Sequence, residues 1–421
     1  MFAQHFSINN LPYGIISIQG SADRIIATRL EDYVYSIPAL LERGLLGSVP
    51  ASTTNAIVKQ HDLNAFAALP KSEQQYFRSL LTMFFASHQT QPTSVPEAAH
   101  HVDSVCVHLP VHISGFTDFS CSKDHLMNAA RAMGFPPNLP PGFLHFPTAY
   151  DGRASSIYVS GTEVFRPTGT FQDSQDGSIV FGPTKALDYE LEMACIIGRP
   201  PEPSLQRQEF VLDLGRGIPA SRAEEHIFGV VLLNDWSARD IQRLEMPPLG
   251  PFNGKNFATT ISPWVVTLEA LEPFKLQLPE RDVPVPPHLD TKDQKVGYDI
   301  TCMAELLSPN TGETNGTSTT LCESNTNRFY WSFAHLIAHQ TAGGCKLATG
   351  DILATGTISG PAKTQHGCLM ELTKGGKEAF TLQGGSERIY LQDGDTVRLS
   401  AFAGSADDGV GFGECLGVIR S

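Results

Sequence analysis

Leu187-Asp188-Tyr189-Glu190-Leu191-Glu192-Met193-Ala194-Cys195-Ile196-Ile197 is the stretch on which the reading of this chain turns. It reads as a β-strand, and strand side chains alternate between faces. Glu190 and Glu192 therefore point the same way, about 7 Å apart along the chain, while Leu191 and Met193 point into apolar packing. Neighbouring carboxylates repel, and burying them unpaired is expensive. Two arrangements satisfy the pattern: an exposed glutamate face on an edge strand, or a buried pair neutralised by a cation.

A chain of 421 residues and 45.7 kDa has room for two domains, or one large one with a sizeable core. A hydrophobic content of 41% with 18% charged residues fits a folded protein rather than a disordered one. The formal net charge of −14 argues against broad binding to nucleic acid or anionic membrane. It leaves room for an anionic small substrate held by one Arg or Lys in a cleft. The eight cysteines form no Cys-x-x-Cys pair and suit a reducing compartment. Met1–Phe6 lacks the basic region and apolar core of a signal peptide, and no stretch reaches the length of a membrane span. The expectation is a cytoplasmic protein.

The first hundred or so residues read as a separate unit. Leu11-Pro12-Tyr13-Gly14 is a turn, with short strands expected over 15–18 and 24–29. Pro70 opens a helix whose Tyr76, Phe77, Leu80, Leu81 and Phe84 form one apolar stripe. The polar, proline-containing run from His88 to Glu97 reads as a connection, so domains are expected over 1–115 and 116–421. The remainder is mostly short strands broken by Gly and Pro, at 155–160, 179–181, 187–197, 228–233, 263–267, 352–357 and 396–399. Ser221-Arg222-Ala223-Glu224 predicts a capping box before a short helix, and Asn327–Gln340 a second helix. Asn310–Thr326 reads as an exposed polar insertion. The pattern predicts a mainly β protein, a large mixed sandwich or roll rather than regular βαβ units.

Acidic residues recur where strands stop. Asp118 follows Phe116-Thr117, and Asp235 ends the apolar run before Trp236. With Glu190 and Glu192 they offer an all-oxygen nest for a hard divalent ion such as Mg²⁺ or Ca²⁺. Spacing alone does not bring the four together.

Longer motifs run through the chain in order. They include Thr-Asp-Phe at 117–119, Gly-Arg-Ala-Ser-Ser at 152–156, Leu-Glu-Met-Ala at 191–194 and Glu-His-Ile-Phe-Gly at 225–229. Asn-Asp-Trp-Ser-Ala-Arg-Asp-Ile-Gln fills 234–242, Thr-Thr-Ile-Ser-Pro-Trp-Val-Val fills 259–266, and Gly-Thr-Ile-Ser-Gly-Pro fills 356–361. In these motifs the chain resembles the fumarylacetoacetate hydrolase family. The resemblance implies a small N-terminal SH3-like barrel followed by a large C-terminal β-roll. It implies a homodimer with one Mg²⁺ or Ca²⁺ per site, hydrolysing a carbon–carbon bond of a β-diketone acid in tyrosine and phenylalanine breakdown.

The same resemblance implies residue roles. Asp118, Glu190, Glu192 and Asp235 match the metal carboxylates, with Lys255 and Thr259 beside the metal. His125 matches the catalytic histidine and Glu371 its carboxylate partner. Arg239, Gln242 and Lys255 match the donors to a developing oxyanion. Tyr150, Gly356 and Thr357 match substrate contacts. Three positions depart from the pattern: Ser120 and Met246 stand where tyrosines are common, and Gly134 where an arginine holds a substrate carboxylate. Arg131 lies one helical turn away. These departures predict altered selectivity. They also admit an alternative, a related β-keto carbon–carbon hydrolase or decarboxylase of specialised metabolism acting on a less acidic substrate.

Overall fold

The computed structural model describes residues 3–88, 95–173, 176–199, 217–292, 294–309 and 318–421. The protein is mainly β. An N-terminal antiparallel sheet of five strands has the order Ala99–His101, Tyr33–Ser36, Ile25–Leu30, Tyr13–Ile18, Val105–His108. The helix Lys71–His88 delivers part of the predicted stripe: Phe77, Leu81 and Phe84, with Phe85, join Ile15, Ile26 and Tyr35 in one apolar cluster, and Leu80 is buried, but Tyr76 is 46% exposed and lies off the packed face.

The central sheet is mixed. Its path runs Ala149–Asp151, Phe116–Phe119, Ile352–Ala354, Leu191–Ile197, Ile227–Asp235, Thr259–Ile261, Ile157–Val159. A further five-stranded sheet holds Ser318–Asn325, Ile300–Leu307, Thr396–Ala403, Val410–Arg420 and Glu163–Phe165.

Alternation along the central sheet explains where the site lies. Leu191, Met193, Cys195 and Ile197 share one face with Val230 and Leu232, packed in the large C-terminal core. Ala194 and Ile196 share the other face with Val231, Leu233, Ile261, Ile352 and Ala354, beneath the N-terminal apolar cluster. Registered partners share a face. Ala194 pairs with Ala354, which pairs with Asp118, which pairs with Tyr150. Glu192 pairs with Leu233, and Asp235 with Thr259. The acidic residues thus continue the very face that the N-terminal cluster covers, at the end where apolar side chains stop.

Several local expectations are corrected. The stretch 187–197 is not one strand: Leu187–Asp188 pairs with Ser237–Ala238, and Leu191–Ile197 separately pairs with Ile227–Asp235. Between them Glu190 forms a single bridge to Cys368. Nor is it an edge strand, since neighbours flank Leu191–Ile197 on both sides. The capping box at Ser221 does not form; a 3-10 helix over Ala220–His226 starts after Pro219 without a side-chain cap. The second helix spans Phe333–Ala342, capped at Ser332, because Phe329–Trp331 turn into the core first. Of the expected insertion, Ser318–Asn325 is a strand paired with Ile300–Leu307; residues 310–317 lie outside the described residues. The expected strand at 352–357 stops at Ala354.

Candidate active site

Four carboxylates meet, three from separate strands and Glu190 from the bridge between two: Asp118, Glu190, Glu192 and Asp235 offer oxygens that all lie within 4.8 Å of one another. All are buried, Glu192 completely. Two cations face them. The Lys255 ammonium lies 2.5 Å from Glu190 Oε2 and 2.5 Å from Asp235 Oδ2. The Arg239 guanidinium places Nη2 2.8 Å from Glu190 Oε1 and Nε 2.8 Å from Asp188 Oδ2. Arg239 Nη1 donates to Gln242 Oε1. Tyr150 donates its hydroxyl to Asp235 Oδ2 at 2.7 Å, and Thr259 donates to Asp235 Oδ1 at 3.1 Å.

These donors leave the cage unfinished. Both carboxylate oxygens of Glu192 and Oδ1 of Asp118 are buried without a hydrogen-bond partner. Burial, reinforced by the Asp235 charge, pushes the Asp118 carboxyl up to about 8. Burial, with Asp118 and Glu190 beside it, pushes Glu192 well above the carboxylate range. Burial would raise Glu190 too, but Lys255 and Arg239 outweigh it and hold that carboxyl low. Buried acceptors without donors, in an all-oxygen set short of positive charge, fit a hard cation. The cage can hold a metal ion.

The histidine site is built differently. Ser122 caps the helix Lys123–Ala132 by accepting from the His125 backbone N–H, which sets His125 in the first turn. His125 Nδ1 lies 2.8 Å from Glu371 Oε1. The same oxygen accepts from Ser359 Oγ at 2.7 Å and Cys368 Sγ at 3.4 Å, and Oε2 accepts from Asn128 Nδ2 at 2.9 Å. Burial raises the Glu371 carboxyl, but the His125 charge and these donors leave it lowered overall, hence ionised. A carboxylate only accepts, so Nδ1 carries the proton and Nε2 is the free base. Burial lowers the His125 pKa, but the Glu371 charge and hydrogen bond outweigh it, and the net shift is upward. The Glu371 side chain is 0% exposed and that of His125 14%, so the ring keeps a window toward solvent.

Asn128, Ser359 and Cys368 were not singled out from the sequence. For Asn128 a signal existed, because it follows His125 by three residues and so shares its helix face. Gly356 has φ +69°, and a Cβ there would meet Phe119 O at 2.1 Å, so glycine is required. Thr357 Oγ1 is buried without a partner.

The departing residues fall outside both groups of contacts. Ser120 is half-buried at the end of the Asp118 strand, with its N–H on Thr148 O. Met246 is 45% exposed and follows the helix Arg239–Glu245. Gly134 ends the His125 helix at φ +84°, with its N–H on Arg131 O and that of Phe135 on Ala130 O, a Schellman closure. Lys377 Nζ lies 3.7 Å from where a Cβ at Gly134 would sit. Arg131 Nη1 donates to Asn128 Oδ1 at 2.9 Å. A separate cleft of about 590 Å³ between His112–Thr117 and Cys345–Asp351 contains neither the cage nor the histidine site.

Comparison with known proteins agrees along the whole chain. The family model described as Fumarylacetoacetase N-terminal matches residues 9–110, and that described as Fumarylacetoacetate (FAA) hydrolase C-terminal matches residues 115–420. Fumarylacetoacetase of Arabidopsis thaliana is 38% identical over 420 residues, covering 99% of this chain and 96% of the relative. Fumarylacetoacetase of Homo sapiens is 37% identical over 419 residues, covering 98% and 96%. A solved Mycobacterium smegmatis structure matches with TM-score 0.53 at 20% identity, over 96% of this chain and 98% of that one, a likeness of fold alone. On the two family models and this identity over nearly its full length, the chain belongs to the fumarylacetoacetate hydrolase family.

Proposed function

We propose that this enzyme hydrolyses fumarylacetoacetate to fumarate and acetoacetate, the last step of tyrosine and phenylalanine breakdown. The observation that carries the reading is the pairing of two sites: a buried carboxylate cage with unpartnered oxygens, and a histidine base held by a buried glutamate. Relatives named fumarylacetoacetase at 37–39% identity do not favour the alternative of a less acidic substrate in specialised metabolism.

Asp118, Glu190, Glu192 and Asp235 would hold one divalent cation, and the all-oxygen set suits Mg²⁺ or Ca²⁺. Such an ion, when bound, polarises a β-dicarbonyl oxygen and stabilises negative charge developing on it. Lys255 and Arg239 orient Glu190 and Asp235, and with Gln242 present donors toward a developing oxyanion. His125 Nε2 takes a proton from the attacking water. Glu371 keeps Nδ1 protonated and stabilises the imidazolium that results. The hydroxide so formed adds to the carbonyl carbon at the fumaryl end. The bond from that carbon to the acetoacetate fragment breaks and leaves its electron pair on a carbon flanked by a carbonyl. The proton held by His125 goes to that carbon, so that fumarate and acetoacetate leave. Gly356 and Thr357, with the unpartnered Thr357 hydroxyl, are suited to the substrate's terminal carboxylate. Eight free cysteines support a reducing, cytoplasmic setting. A homodimer would cover exposed apolar side chains such as Phe181 and Leu249.

The test is product analysis on purified enzyme. Equal amounts of fumarate and acetoacetate, formed only with a divalent cation present, are expected. Release of carbon dioxide, or no turnover of fumarylacetoacetate, would overturn the reading.

A further inference from the structure

The Glu371 carboxylate is gripped from both sides by one helix. His125 takes Oε1 and Asn128, three residues on, takes Oε2. The Asn128 side chain is fully committed: Nδ2 donates to Glu371 Oε2 and to Gly360 O at 3.1 Å, and Oδ1 accepts from Arg131 Nη1 at 2.9 Å. Its amide orientation is therefore dictated, since a flip would set its oxygen against a carboxylate and a carbonyl. Asn128 is 7% exposed, so these bonds are made away from bulk water.

We infer that Asn128, oriented by Arg131, is a positioning residue that fixes the Glu371 carboxylate and moderates its pull on the His125 proton. The inference rests on the proposed base role of His125. A donor on Oε2 draws charge from the carboxylate, which weakens its hold on an imidazolium at Oε1. His125 then releases its proton at a lower pH than it would beside a bare glutamate. The other groups acting on this pair stay in place when Asn128 changes. Glu190 and Arg239 act from the cage side, His366 and Cys368 from the segment before Glu371, Tyr189 from the break after Asp188, and Cys322 from the strand Ser318–Asn325.

The sign of the pH effect makes the inference testable. Neutral His125 is the active form, so activity rises with pH through its pKa. N128A should move this acidic limb to higher pH and lower kcat by roughly ten- to a hundredfold, the range for a lost hydrogen bond to a charged group, with KM little changed. R131A, at an exposed position, should move the limb the same way by less. If N128A does not fold, R131A decides alone. A limb that stays put or moves to lower pH in the folded variants would overturn the inference. H125A separates the two levels. If H125A retains full turnover, the base assignment itself fails. If H125A is inactive while the limb of N128A is unmoved, only the role of Asn128 fails.

Discussion

Two buried carboxylate sites lie side by side in this molecule and are finished to different degrees. Glu371 has both oxygens satisfied, by His125, Ser359, Cys368 and Asn128. Glu192, equally buried, has neither oxygen satisfied, and Asp118 has one without a partner. The protein completes the first site with its own donors and leaves the second for something it does not encode. On the proposed function the histidine site moves the proton, and the cage, which can hold a metal ion, takes the cation. Each can therefore be broken without the other.

The largest expected effect comes from stripping the cage. A chelator should abolish turnover, and Mg²⁺ or Ca²⁺ should restore it. At about a hundred times its Kd, a cation bound only to the folded state adds about 2.7 kcal/mol of stability, seen as a higher Tm. E192Q keeps the shape of the side chain and removes its charge. It should lose turnover and the cation-dependent rise in Tm while folding normally. A full rise in Tm in E192Q would place the cation elsewhere.

H125A tests the other half. It should lose roughly a hundred- to ten-thousandfold in kcat, the usual range for general base catalysis, yet keep the cation-dependent rise in Tm. Loss of both together would show that the two sites are not separable.

E371Q sharpens the division by pH. In the native protein the Glu371 charge outweighs burial and holds the His125 pKa above its ordinary 6.5. Activity should therefore climb through a pH above that value. Removing the charge leaves burial, which lowers the pKa, so the limb should move to lower pH while kcat falls. A pH–rate profile that is unchanged in position would reject Glu371 as the partner.

The smallest effect belongs to neither site. Gly134 stops the His125 helix at φ +84°, where an L-residue is strained. G134A should cost about 1 kcal/mol of stability and leave kcat/KM alone. A large loss of activity would show that this helix end bears on the substrate after all.

The carboxylate pair was legible because alternation survives local irregularity: Glu190 and Glu192 meet in one cage although the strand breaks between Asp188 and Leu191. What alternation does not reveal is the cover. That Ala194 and Ile196 lie beneath residues from the first hundred positions depends on contacts distant in sequence. The strand Val410–Arg420 is disguised by its glycines, which read as breaks. Gly417 is there because a Cβ would lie 2.2 Å from the Trp236 ring, and Gly411 because it would lie 2.5 Å from His5. The roles of Ser359 and Cys368 were hidden for the same reason, since their common target, Glu371, lies in a loop-and-helix segment whose path no periodicity predicts. Resemblance to a family implies the His125–Glu371 pairing; the network around it is set by contacts distant in sequence.

The most direct test of the account is calorimetric titration of the metal-free protein with Mg²⁺ and Ca²⁺, run in parallel on E192Q and H125A. One site per chain is expected in the native protein, the same site in H125A, and none in E192Q. Equal binding by E192Q, or no binding by the native protein, would contradict it.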